Sequence, residues 1–194
     1  MEQEQRFIDY IEQSIVQNWD RNALTDYKGI TLQYKDVARK IAKFHIVLES
    51  AGIQPGDKIA VCGRNSAHWA VCFLATVTYG AVIVPILHEF KADNIHNIVN
   101  HSEAKLLFVG DQAWENLNEE AMPLLMGVVL LTDFTRLSAG TNVSWKLLNT
   151  ATPSTAHATP RISVPNIFAT VRNNRPRNWR SSIIRPVLQA TPKA

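Results

Sequence analysis

The stretch that decides the fold is Gly52-Ile53-Gln54-Pro55-Gly56-Asp57-Lys58-Ile59-Ala60-Val61-Cys62-Gly63-Arg64-Asn65-Ser66, continued by an apolar run from Ala67 to Tyr79 and then by Gly80-Ala81-Val82-Ile83-Val84-Pro85-Ile86. Gln54-Pro55-Gly56-Asp57 has the chemistry of a turn. Lys58–Cys62 is a short run without polar alternation, as expected of a strand covered on both faces. Gly63-Arg64-Asn65-Ser66 forms a loop, and Ser66 is suited to cap a helix start. Ala67–Tyr79 is apolar nearly all round, which predicts a helix buried on most sides, with Gly80 closing it. Ala81–Ile86 is a second apolar strand. A strand, a buried helix and a second continuous strand make a parallel unit with a right-handed crossover.

Downstream, Ala92–Asn100 predicts a helix, Lys105–Val109 a strand, Ala113–Glu120 a short helix and Val128–Leu131 a strand. Strand and helix thus alternate from residue 58 onward. The expected fold class is α/β, a doubly wound, mostly parallel sheet covered on both faces. Upstream, residues 2–17 predict an amphipathic helix with Phe7, Ile8, Ile11, Ile15 and Val16 on one side. Ala23–Tyr27 and Ile30–Tyr34 predict a hairpin about Lys28-Gly29. Lys35–Ser50 is a helix whose Val37, Ile41, Phe44 and Leu48 recur at three- and four-residue spacing, with Gly52 as its stop.

Charge divides the 194-residue chain in two. All 17 Asp and Glu lie in residues 1–133, with 11 Lys and Arg, a net of −6. The final 61 residues hold nine Lys or Arg and no acid. The expected domain boundary follows: an ordered body over 1–140 and a basic tail over 141–194. Cys62 and Cys72 are too few for a disulfide framework and read as small buried apolar residues. The apolar stretch from Ala67 to Leu87 is broken by His68, Thr76, Thr78, Gly80 and Pro85, which excludes a membrane span there. The polar start, Met1-Glu2-Gln3-Glu4-Gln5, is unlike a secretory signal, so a cytoplasmic location is expected. His45, His68, His88, His96, His101 and His157 lack the spacing and the Cys or acidic company of a metal site and are expected at the surface or at caps. Arg64 is expected to pack as a loop charge on its own domain, and Trp69, Phe73 and Tyr79 to belong to the core. No catalytic, cofactor-binding or metal residue is assigned.

The turn ending in Gly56-Asp57, the short strand, the Asn65-Ser66 loop, the helix with Trp69, Phe73, Leu74 and Ala75, and the Gly80-Ala81-Val82-Ile83-Val84-Pro85 strand together resemble the AMP-forming acyl-CoA synthetases. Thr31–Val37 and His101–Phe108 resemble that family's flanking elements, and the likeness runs from about Asp20 to about Leu131. The wording of Gly63–Ser66 and Leu87-His88-Glu89-Phe90 is most like bacterial long-chain fatty acid–CoA ligases. The resemblance implies an N-terminal portion of an enzyme that uses ATP, magnesium and coenzyme A on a fatty acid, with possible peripheral membrane association of the intact enzyme. The family's phosphate loop, its magnesium-handling acids and its C-terminal lysine domain have no counterpart in residues 1–133, so this chain is expected neither to bind these cofactors productively nor to be active.

The tail carries a further signal. Codons taken from the third base of each residue and the first two bases of the next, over Ile183 to Ala194, permit YTSGTTGYSKG, which resembles the family's phosphate loop. Over Arg175 to Ile183 the same rule permits PEELAIIN, so the agreement spans 19 successive positions. A change of frame near residues 140–155 is therefore expected, and with it a tail without a folded core. The competing expectations are a nucleic-acid-binding arm, built on Arg175, Arg177 and Arg180 about Trp179, and a scaffold piece that pairs with a synthetase. The nucleic-acid reading is not favoured.

Overall fold

The computed structural model describes residues 6–135 and residue 137. Helix α1 (Phe7–Gln17) is followed by strands β1 (Asn22–Thr25) and β2 (Thr31–Gln33), then α2 (Tyr34–Ser50). From there strand and helix alternate: β3 (Lys58–Cys62), α3 (Ala67–Tyr79), β4 (Val82–Ile86), α4 (Ala92–Ser102), β5 (Leu106–Val109), the short α5 (Asp111–Trp114), a 3-10 turn (Glu119–Ala121) and β6 (Gly127–Leu130). β1 and β2 form the expected antiparallel hairpin, and Lys28 takes the left-handed conformation at its tip with φ 54°.

The main sheet has four strands in the order β4-β3-β5-β6, all parallel. Alternation along each strand sends successive side chains to opposite faces. Ile59, Val61, Leu106, Phe108 and Val129 join Val37, Ile41, Phe44 and Leu48 of α2 and Val71 and Ala75 of α3 in one core. Ala60, Cys62, Leu107, Val109 and Val128 join Ile95 and Val99 of α4 and Met122 in the other. These two apolar layers make the fold α/β and doubly wound, as the runs of apolar strand residues predict. The chain leaves β3 for β4 on one side and then crosses back to β5 and β6 on the other, so the topological switch lies between β3 and β5.

Local signals account for the boundaries of the central unit. The Ser66 hydroxyl accepts from the Trp69 N–H at 3.1 Å, and Gly80 ends α3 at φ 92°. Gly52, at φ 75°, supplies the reversal after α2. Tyr79 is buried, and its hydroxyl donates to the Ile53 carbonyl at 2.7 Å, tying the end of α3 to the turn before β3.

Two local expectations need correction. In α1, Ile8, Ile11 and Ile15 face the core, whereas Phe7 and Val16 are 59% and 57% exposed. The stripe of three isoleucines is narrower than the apolar side drawn from the sequence, and Phe7 and Val16 fall on its margins. The expected helix over residues 113–120 is instead α5 followed by a 3-10 turn. The Asn118 side chain accepts from the Glu120 N–H at 3.0 Å, and the Asn118 N–H donates to His96 Nε2 at 3.1 Å. These bonds favour a cap at Asn118 over a continuing helix.

Candidate functional site

In open α/β sheets the crevice beyond the carboxyl ends of the strands, at the topological switch, is the expected place for a ligand. In this chain that edge collects Gly63, Arg64, Asn65 and Ser66 after β3, His88 and Glu89 after β4, Gly110 and Asp111 after β5, and Thr132 and Asp133 after β6. The parallel ladder of β3 and β5 runs to the carboxyl ends of the two strands. The Gly110 N–H donates to the Cys62 carbonyl at 2.8 Å, and a Cβ on Gly110 would stand at an ordinary 3.5 Å from Gly63 Cα. A Cβ on Gly63 would meet a methyl of Leu131 at 2.6 Å. The close approach explains Gly63, where a Cβ has no room beside Leu131.

The β3–α3 loop has the outline of a phosphate-binding turn, since free amides and a partial positive charge gather at a helix start. That charge already has an internal anion. The Asp26 carboxylate, from the hairpin, accepts from the Ala67 N–H at 2.6 Å, while Ser66 satisfies Trp69. Asn65 is exposed, and Asp26 holds the first amide of the helix. Arg64 is exposed too, so its expected packing on the domain is not found. A nucleotide phosphate does not fit this helix start, and no chemical step is assigned to it.

The other polar groups of the edge pair locally. The Thr132 hydroxyl is 2.8 Å from both Asp111 oxygens, and the Thr135 N–H donates to Asp133 Oδ1 at 2.8 Å. His68 lies against the Phe134 ring at 4.8 Å. Its pKa is lowered by burial and by the nearby Lys40 charge, with partial compensation from the Thr132 and Leu131 backbone and from Asp26. Among the described residues no group of three or more His, Cys, Asp or Glu is placed to hold a metal ion.

The histidines are not uniformly peripheral, contrary to the sequence expectation. His45 Nε2 lies 3.1 Å from the Ala75 carbonyl and 3.0 Å from Thr78 Oγ1, bridging α2 and α3. Because the Thr78 hydroxyl donates to the Leu74 carbonyl at 2.6 Å, the proton on this bridge belongs to Nε2. Burial pulls the His45 pKa down to about 4. Nothing in the sequence spacing announced this contact, since the partners are 30 and 33 residues away. Cys62 and Cys72 are buried thiols, as expected; burial pushes Cys62 up to about 11 and raises Cys72 as well. Tyr79 is core, whereas Trp69 and Phe73 are only half-buried and stack at 5.7 Å along α3.

At the carboxyl edge of the described sheet the Asp26, Asp111 and Asp133 carboxylates thus each accept a hydrogen bond from within the chain. The doubly wound sheet defines the class. The AMP-binding enzyme family matches residues 11–177, most of the chain, and the protein belongs to that family. It is 31% identical over 85 residues to a fatty acid–[acyl-carrier-protein] ligase, ScoC, of Streptomyces coeruleorubidus, covering 44% of this chain and 16% of that one. It is 25% identical over 105 residues to long chain acyl-CoA synthetase 1 of Arabidopsis thaliana, covering 54% and 16%. In structure it is similar to coronafacic acid ligase from Pectobacterium brasiliense, with a TM-score of 0.63 and 16% identity, covering 73% of this chain and 28% of that one. The chain therefore spans about a sixth of the curated relatives it matches. The fold extends the resemblance seen in the sequence from Asp20 to Leu131, and no helix of the described residues is long and apolar enough to cross a membrane.

Proposed function

We propose that this chain is the N-terminal portion of an acid–thiol ligase, followed by a tail read out of frame, and that it is inactive as it stands. The intact enzyme would use magnesium-ATP to convert a long-chain fatty acid to an acyl-adenylate and pass the acyl group to coenzyme A, in the cytoplasm. The observation that carries the reading is the shifted-frame sequence PEELAIINYTSGTTGYSKG over residues 175–194, which supplies a phosphate loop that the given frame lacks. Such a loop binds phosphates through its backbone amides, and attack at the α-phosphate depends on that positioning. The occupied start of α3 supports the same view, because the body offers no substitute anion site there. The long-chain preference rests on the Gly63–Ser66 and Leu87–Phe90 wording and on the likeness to the Arabidopsis protein. The body would span residues 1–140 and the tail 141–194; the tail lies outside the described residues. The family match reaches residue 177, so the proposed change of frame falls inside the matched span.

The test is an assay of the purified chain with palmitate, magnesium-ATP and coenzyme A, beside the product of a gene with the frame restored. The expected outcome is no acyl-CoA from the 194-residue chain and turnover by the restored product. Acyl-CoA formed by the 194-residue chain would overturn the reading. Salt-dependent nucleic-acid binding lost on truncation at residue 140 would favour the basic-arm alternative instead.

A further inference from the structure

Charge is distributed unevenly within the body as well as along the chain. Residues 1–88 hold nine acids and nine Lys or Arg and are neutral. Residues 89–133 hold eight acids against Lys91 and Lys105, so the whole net −6 lies between the end of β4 and the end of β6. Lys105 is already committed, with Nζ 2.8 Å from Asp57 Oδ2. Asp93, Asp111, Glu115, Glu119, Glu120 and Asp133 are exposed, and among the described residues none of the six forms an ion pair with a Lys or Arg. Asp111, Glu115, Glu119 and Glu120 follow one another along α5 and the 3-10 turn. Asp133 lies beside them, because the neighbouring Thr132 hydroxyl is 2.8 Å from both Asp111 oxygens. Carboxylates so placed hold a negative potential over this surface.

The described chain ends on the same layer. The Leu137 N–H donates to the Val128 carbonyl at 2.9 Å, and the Leu137 side chain packs on the apolar cluster that also receives Trp114 and Leu117 of the acidic stretch. Residues 138–194 continue from there with eight Lys or Arg and no acid. We infer that the acidic surface of α5 and the 3-10 turn is a docking surface for the basic tail of the same chain, an internal contact that occupies the tail's cations. The charges are complementary, and the occupant is tethered where it must bind. A segment attached to a surface meets it at an effective concentration on the order of mM, an advantage that a separate basic partner or the tail of a second copy lacks. A nucleic acid would be repelled by this surface and would have to compete with it for the tail. The inference concerns the chain as translated, in whichever frame the gene runs. Its failure therefore leaves the ligase reading, which the gene sequence tests, untouched.

The experiment follows the full 194-residue chain by small-angle scattering and by the amide resonances of residues 111–120. Raising sodium chloride from 0.1 M to 1 M cuts the Debye length from about 10 Å to about 3 Å. The expected result is a larger radius of gyration at high salt, with shifts of the amides at residues 111–120. At 0.1 M, Arg175→Gln/Arg177→Gln/Arg180→Gln should move those amides towards their high-salt positions, and Glu115→Gln/Glu120→Gln should give the larger radius. Asp20→Asn/Glu49→Gln, which removes two exposed carboxylates elsewhere on the body, should keep the smaller one. An unchanged melt of each variant establishes that the differences are not unfolding. A radius indifferent to salt, amides at residues 111–120 that ignore the tail substitutions, or an equal effect of Asp20→Asn/Glu49→Gln would each overturn the inference. So would a radius that depends on protein concentration, since that would place the contact between copies.

Discussion

Asp26 links the hairpin to the body through one bond, its carboxylate on the Ala67 N–H. Asp26→Ala removes both a hydrogen bond and a favourable charge at a helix start, and should cost about 1–2 kcal/mol by urea denaturation. An unchanged midpoint would remove Asp26 from the account of α3. Ser66, by contrast, was legible in the sequence because a cap and its amide are neighbours. Asp26 was not, because it acts across 41 residues and only the folded hairpin brings it there.

His45 gives a second residue-scale prediction. Folding lowers its pKa from 6.5 to about 4, so between these values the unfolded chain binds more protons. The stabilisation is complete above about pH 6.5 and is lost as pH falls towards 4, by roughly 3 kcal/mol at most. His45→Leu should flatten this part of the stability–pH curve, measured by denaturant titration between pH 7 and pH 4. An equal slope in both proteins would contradict the buried, neutral assignment.

At the scale of elements, α3 shows why the central unit could be read before it was seen. Its apolar surround, its Ser66 start and its Gly80 stop are all local features, and the structure reproduces Ala67–Tyr79. Gly80→Ala should be destabilising by about 1 kcal/mol through the positive φ alone, because a Cβ there would meet only Pro55 Cβ, at an ordinary 3.5 Å. Phe44 tests the layer between α2 and the sheet. It is fully buried, 5.1 Å from the Phe108 ring and 5.3 Å from Phe134, so Phe44→Ala should cost about 3–5 kcal/mol in a thermal or urea melt. A loss below 1 kcal/mol would mean that this layer is loosely packed. The stretch after β5 was misread because its helix-forming residues are overruled by the Asn118 cap and by the His96 bond from α4, neither of which has a periodic signature.

At the scale of the whole molecule, the alternation of strand and helix and the two-faced core were legible because continuous apolar strands can be satisfied only between two helical layers, whereas the sheet order β4-β3-β5-β6 has no local signature. The tight contact of Gly63 with Leu131 was not legible, since it brings together the ends of two different strands. In the proposed reading, activity belongs to residues beyond this body, and the shifted frame at 175–194 supplies the first of them.

The most direct test is to sequence the gene from codon 130 to well beyond the stop. The account predicts that one restored base, or two removed, near codons 140–155 opens a frame through YTSGTTGYSKG and several hundred further codons of ligase-like sequence. A gene in which no such frame follows would contradict it, and the basic tail would then have to be explained as a segment of this protein in its own right.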